Sequence, residues 1–151
     1  MNTAAGKQDL AGLIGVRPGD VVSFVGAGGK TTLMRALAAE LAATGSKVCV
    51  TTTTKMAPGE DKAPLKRVEM GKAEGDDSAA TVLPLEELEA AWAAGSIPLV
   101  VSGEWKGRLR GLDHAAVAAL TRHADYVLVE ADGARDGLIK LPRDHEPVLP
   151  D

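Results

Sequence analysis

The sequence predicts an α/β fold, a doubly wound, mostly parallel sheet in a three-layer sandwich. Three observations carry this expectation. Apolar runs of strand length recur at residues 21–25, 47–52, 97–101 and 126–129, the pattern of parallel strands buried on both faces. Stretches with helical spacing alternate with those runs, as successive βαβ units require. The first run also leads directly into Gly26-Ala27-Gly28-Gly29-Lys30-Thr31-Thr32, a glycine loop at the start of a helix.

That loop is suited to phosphate. A helix N-terminus presents unpaired backbone N–H groups and a partial positive charge, and glycines let the backbone curl around an anion with no Cβ in the way. Gly26, Ala27, Gly28, Gly29, Lys30, Thr31 and Thr32 therefore form the candidate nucleotide cradle. Lys30, read as an exposed loop lysine, adds a charge at the outer phosphates and is a candidate catalytic group, while the Thr31 hydroxyl is a candidate Mg²⁺ ligand. The long pattern G-x-x-x-x-G-K-[ST] fails, because its first glycine falls on Phe24. The shorter G-x-x-G-K-T stands, with Gly26 and Gly29 as the spaced pair, and resembles the ATP loop of the ligases that build bacterial cell-wall peptides.

Length and composition fit one domain, residues 1–151, with 1–19 as a lead-in and 57–80 as a mobile excursion. The chain is 45% hydrophobic, much of it alanine, and only 3% aromatic, so a thin, tightly packed core is expected. A net charge of −4 and a pI near 5.4 give no electrostatic reason to expect DNA or RNA as a partner. Cys49, the single cysteine, sits in a strand-like run and reads as an inert core thiol. Neither a signal peptide nor a membrane span is recognisable, so the expected location is the cytoplasm, away from membranes.

In chain order, Leu10, Leu13 and Ile14 are spaced for one face of a short helix covering an edge or end of the sheet. After the loop, Leu33, Leu37 and Leu41, with Met34 and Ala38, form a stripe that packs on the sheet, and Gly45 closes the helix. The 47–52 strand runs into Thr51-Thr52-Thr53-Thr54-Lys55, where alternate hydroxyls and Lys55 either face a ligand crevice or simply end a strand. Within the polar excursion, the run 65–70 could form a strand. Pro84 opens a helix with Leu85, Leu88 and Trp92 on one face. The strand at 97–101 feeds a loop, 102–111, whose Trp105, Arg108 and Arg110 either contact a ligand or form a solvated basic turn. Asp113 caps the helix that starts at His114.

The final apolar strand ends in Glu130-Ala131-Asp132-Gly133. A carboxylate at such a strand end is how phosphate-loop proteins hold Mg²⁺ or its water, so Glu130 is the second candidate metal ligand. Asp132, projecting to the same side, is a candidate catalytic group that positions a nucleophile. Beyond it, prolines and His145-Glu146 read as exposed loop, and the natural chain is expected to continue past Asp151.

Taken in order, residues 25–33, 50–56, 109–112, 129–134 and 145–147 resemble the YqeC-type accessory proteins of selenium-dependent molybdenum hydroxylases. The resemblance implies a P-loop nucleotide-binding protein that serves maturation of such a hydroxylase, with the hydroxylase or its cofactor-assembly proteins as partners. The 130–133 strand end is also similar to that of dethiobiotin synthetase, which uses a Glu there beside Mg²⁺. Three readings follow: an ATP- or GTP-driven accessory protein, a small-molecule kinase or ATP-dependent ligase, and a non-hydrolysing nucleotide-binding module. The guanine-reading Asn/Thr-Lys-x-Asp element is absent, since Ala57 follows Thr54-Lys55-Met56, and this favours ATP.

Overall fold

The computed structural model describes residues 9–26, 28–57, 59, 62–72 and 81–132. Five parallel strands form its main sheet: β1 (Val21–Phe24), β2 (Val48–Thr52), β4 (Leu65–Glu69), β7 (Ile97–Val101) and β10 (Tyr126–Glu130), in the spatial order β1-β10-β2-β7-β4. Within the run at 65–70, Leu65–Glu69 is thus a true strand, at the sheet edge against β7, while residues 58, 60, 61 and 73–80 of the expected excursion lie outside the described residues. A three-stranded antiparallel sheet joins β3 (Lys55–Met56), β9 (Arg108–Arg110) and β8 (Gly103–Trp105), and β5 (Gly71–Lys72) pairs with β6 (Thr81–Val82). Four helices complete the described residues: α1 (Leu10–Ile14), α2 (Lys30–Ala43), α3 (Leu85–Ala93) and α4 (His114–Leu120).

Helices cover both faces of the main sheet, which makes the fold the doubly wound three-layer sandwich that the sequence predicts. Alternate residues of β2 decide the layers, because successive side chains of a strand point to opposite faces. Val48 and Val50 join Met34, Leu37 and Leu41 of α2 in one core, whereas Cys49 joins Leu88 of α3 and Val117 and Leu120 of α4 in the other. Burial pushes the Cys49 thiol up to about 12, so it stays protonated and inert at neutral pH.

Three helical expectations need correction. The buried stripe of α2 is Lys30, Met34, Leu37, Ala38 and Leu41, and Leu33 is 42% exposed, since a residue one turn before Leu37 but beside Met34 lies off the sheet-facing side. Leu85 of α3 is likewise exposed, while Trp92 is half-buried and donates its indole N–H to the Val48 carbonyl at 3.0 Å. In α1, Leu13 and Ile14 face solvent. The helix rests on α2 rather than on the sheet, held by Glu40, whose carboxylate accepts the Leu10 and Ala11 N–H groups at 3.1 and 2.8 Å.

Candidate functional site

The last strand among the described residues, β10, is inserted between the first two. β10 pairs with β1 on one side and β2 on the other, with Glu130 level with Phe24 and Thr52. The acid at its end therefore has the glycine loop on one flank and the threonine run on the other, at the carboxyl edge where open α/β sheets place ligands.

The loop has the backbone that its glycines permit. Gly26, Gly28 and Gly29 have φ of 105°, 67° and 71°, and an added Cβ at any of them would meet no heavy atom within 4 Å. Glycine is needed there for conformation, and the space beside each is open. No side chain caps the N-terminus of α2, so the dipole end of the helix faces the loop uncapped. Thr31 and Thr32 fall in its first turn; Thr32 is exposed, and Ala27 lies outside the described residues.

Three contacts tie this loop to the strand end about a hundred residues later. Thr31 Oγ1 donates to Glu130 Oε2 at 2.9 Å, and both side chains are half-buried. Lys30 Nζ lies 2.9 Å from Asp132 Oδ1 and also donates to the Gly26 carbonyl, while Asp132 Oδ2 accepts the Gly26 N–H at 2.8 Å. Asp132 thus occupies the lysine and a loop amide at once. Lys30 is not an exposed loop lysine: it is 8% exposed and Asp132 6%, because the amphipathic stripe of α2 begins at residue 30 and turns the lysine stem inward.

The first two threonines of the run brace the sheet edge, while Thr53 and Thr54 are half-buried. Thr51 Oγ1 donates to the Val100 carbonyl at 2.8 Å and Thr52 Oγ1 to the Glu130 carbonyl at 2.8 Å, both from fully buried side chains. Thr53 N–H donates to the same Glu130 carbonyl at 3.1 Å, which fixes the strand end from below. Lys55 alone of the run is exposed.

The 102–111 stretch is a hairpin, not a loop. Positive φ at both Lys106 (51°) and Gly107 (71°) gives a two-residue turn of the type that matches strand twist, and Gly111 N–H and Leu112 N–H dock its far end on the Thr54 and Thr52 carbonyls at 2.9 and 2.8 Å. The Lys-Gly pair between Glu-Trp and Arg-Leu-Arg is the signal that could have revealed it. A cleft lined by Lys47, Glu89 and Trp92 opens at the amino ends of β2 and β7, the opposite edge, where Lys47 and Glu89 already pair at 2.7 Å. Among the described residues no group of three His, Cys, Asp or Glu side chains could hold a metal, and no helix is long and apolar enough to cross a membrane. His145 and Glu146 lie outside the described residues.

The family model for the YqeC protein matches residues 22–151. The chain belongs to the YqeC family. It is 34% identical over 132 residues to a protein of Escherichia coli (strain K12) named "Uncharacterized protein YqeC", a match covering 86% of this chain and 47% of the relative. The chain therefore spans about half the length of the curated relative it matches. No solved structure matches. The YqeC match begins in β1 and takes in the glycine loop, the threonine run, the hairpin and the Glu130 strand end.

Proposed function

We propose that this YqeC-family chain binds a Mg²⁺-nucleotide, ATP in preference to GTP, and uses it as an accessory factor in maturation of a selenium-dependent molybdenum hydroxylase. The observation that carries the nucleotide reading is the Thr31–Glu130 hydrogen bond of 2.9 Å beside Lys30. A hydroxyl at the first turn of a helix and a carboxylate at a neighbouring strand end are hard oxygen donors, the kind that Mg²⁺ takes one or two of while keeping water and phosphate oxygens for the rest. The three positive-φ glycines and the uncapped N-terminus of α2 supply backbone N–H groups for the phosphates. Bound Mg²⁺ would neutralise phosphate charge; Thr31 and Glu130 would hold it, and Lys30 would meet the outer phosphates. The accessory role rests on the ordered motif set that resembles the YqeC-type proteins.

Calorimetric titration of ATP and GTP, with and without Mg²⁺, tests this reading. Lys30→Ala is expected to weaken ATP binding about tenfold or more, since a charge-assisted phosphate contact contributes roughly 1.5–3 kcal/mol. Glu130→Gln should leave binding measurable and reduce its Mg²⁺ dependence. Equal ATP affinity in the parent and Lys30→Ala, with both folded by circular dichroism, would refute the phosphate role of the loop.

A further inference from the structure

The three-stranded sheet sorts its side chains by charge. Its register pairs Lys55 with Arg110, Gly103 with Arg110, and Trp105 with Arg108, and residues paired across neighbouring strands share a face. Lys55, Trp105, Arg108 and Arg110 therefore stand together on one face, all exposed. Met56 and Leu109, paired on the other face, are 2% and 3% exposed and belong to the core. Lys106, held at the turn, brings its Nζ to 4.4 Å from the Trp105 ring centroid, and Lys55 Nζ lies 4.5 Å from the same centroid. Arg108 is fixed as well, donating to the Lys55 carbonyl at 3.1 Å. The one acid of the hairpin, Glu104, alternates to the other face and pairs with Arg67 at 2.9 Å.

Four cations on so small a face repel one another, and a chain of net charge −4 has no general excess of positive charge to explain them. Trp105 is 49% exposed and collects two ammonium groups over its ring, which holds the charges in place instead of letting them spread into solvent. The face also has a defined position. Thr53, whose N–H bonds the Glu130 carbonyl, precedes Lys55 by two residues, a chain reach of about 7 Å.

We propose that this face, Lys55, Trp105, Lys106, Arg108 and Arg110, binds a small polyanion carrying a phosphate or diphosphate group, as a second ligand at the same sheet edge as the phosphate loop. Planar guanidinium groups suit bidentate contacts to phosphate oxygens, and the lysines add point charges. The role as second ligand rests on the Mg²⁺-nucleotide reading; the anion site itself stands on the face alone.

Inorganic pyrophosphate is the probe, titrated calorimetrically into the protein alone and into protein saturated with Mg²⁺ and a non-hydrolysable ATP analogue. Binding is expected in both, weakened about tenfold or more by Arg108→Ala combined with Arg110→Ala, whose side chains are exposed and leave the core untouched. Nucleotide affinity should be unchanged in that double variant. In a Trp92→Phe background, Trp105 fluorescence should respond to pyrophosphate in the parent and not in the double variant. Pyrophosphate affinity equal in parent and double variant would overturn the site, whatever the nucleotide does. So would pyrophosphate failing to bind while poly-glutamate or single-stranded DNA binds, since the ligand would then be a macromolecule. Pyrophosphate binding sensitive to the arginines, in a protein that binds no nucleotide, would keep the anion site and refute the proposed function.

Discussion

Two cationic places lie at the carboxyl edge of the sheet, and they differ in where their counter-charge comes from. At the glycine loop, Lys30 has a built-in partner: Asp132 holds its ammonium at 2.9 Å and the Gly26 amide at 2.8 Å, a counter-charge supplied by the chain itself. On the hairpin face, Lys55, Arg108 and Arg110 share register positions with Gly103 and Trp105 and with no acid. The Lys30–Asp132 pair is neutral by itself and buried; the hairpin face is charged and exposed. A loop of the first kind can keep its shape without ligand, and a ligand there has to displace a carboxylate. On the second, an arriving anion relieves repulsion.

The largest effect that would test this contrast is on stability. Asp132→Ala removes the carboxylate from a buried Lys30 ammonium and leaves it the Gly26 carbonyl, and removing one partner of a buried pair costs about 3–5 kcal/mol. The low end, about 3 kcal/mol, is expected, because the neighbouring glycines are exposed and let the lysine swing into water. The matching change on the hairpin, Arg110→Ala, should cost about 0.5 kcal/mol or less. Urea unfolding midpoints decide: similar losses for the two variants would mean that Asp132 is not what balances Lys30.

A smaller effect is expected where the hairpin is clamped to the main sheet. A Cβ at Gly111 would lie 2.2 Å from the Thr52 carbonyl oxygen and 2.7 Å from that of Thr54, both backbone atoms that cannot step aside. Gly111→Ala is expected to destabilise by about 1–3 kcal/mol, the usual cost of forcing volume into a packed site, and to weaken pyrophosphate binding by shifting β9 against β3. Gly107→Ala, at φ 71° with nothing within 4 Å, should cost about 1–2 kcal/mol from backbone conformation alone. If Gly111→Ala left both the midpoint and anion binding at parent values, the hairpin could not be held by that contact.

The same contrast explains what could be read from the sequence. The strands were legible because runs such as 48–52 and 97–101 are apolar throughout, and the loop was legible because its glycines and Lys-Thr pair are adjacent in the chain. Glu130 could be placed beside the loop by topology, although the strand order that puts β10 between β1 and β2 could not be foreseen. The burial of Lys30 was missed because a lysine in a phosphate loop is read for its charge, while its helical position, one turn before Met34, puts its stem on the core side. The cationic residues were legible as candidates, Lys55 at the end of the threonine run and Trp105, Arg108 and Arg110 in the 102–111 stretch, but not that they share one face. Its members come from residues 55 and 105–110, and only the pairing of Lys55 with Arg110 brings them together. Short strands of two or three residues give too little alternation to be recognised.

The smallest expected effect sharpens the comparison at a single residue. Lys106 is the one described non-glycine residue with positive φ, 51°, a conformation that costs most L-residues about 1 kcal/mol and that asparagine tolerates better. Its place before Gly107 in a two-residue turn is where Asn-Gly is the favoured pair. If the lysine served the turn alone, Asn would be the better choice, so Lys106→Asn separates the two demands. Stability is expected to hold or to rise by a few tenths of a kcal/mol, because the turn improves and only one exposed cation–π contact is lost. Pyrophosphate affinity should fall about two- to threefold, the effect of removing one of four exposed charges. A variant that gained stability and kept full anion affinity would assign Lys106 to solvent and reduce the binding face to Lys55, Arg108 and Arg110 around Trp105.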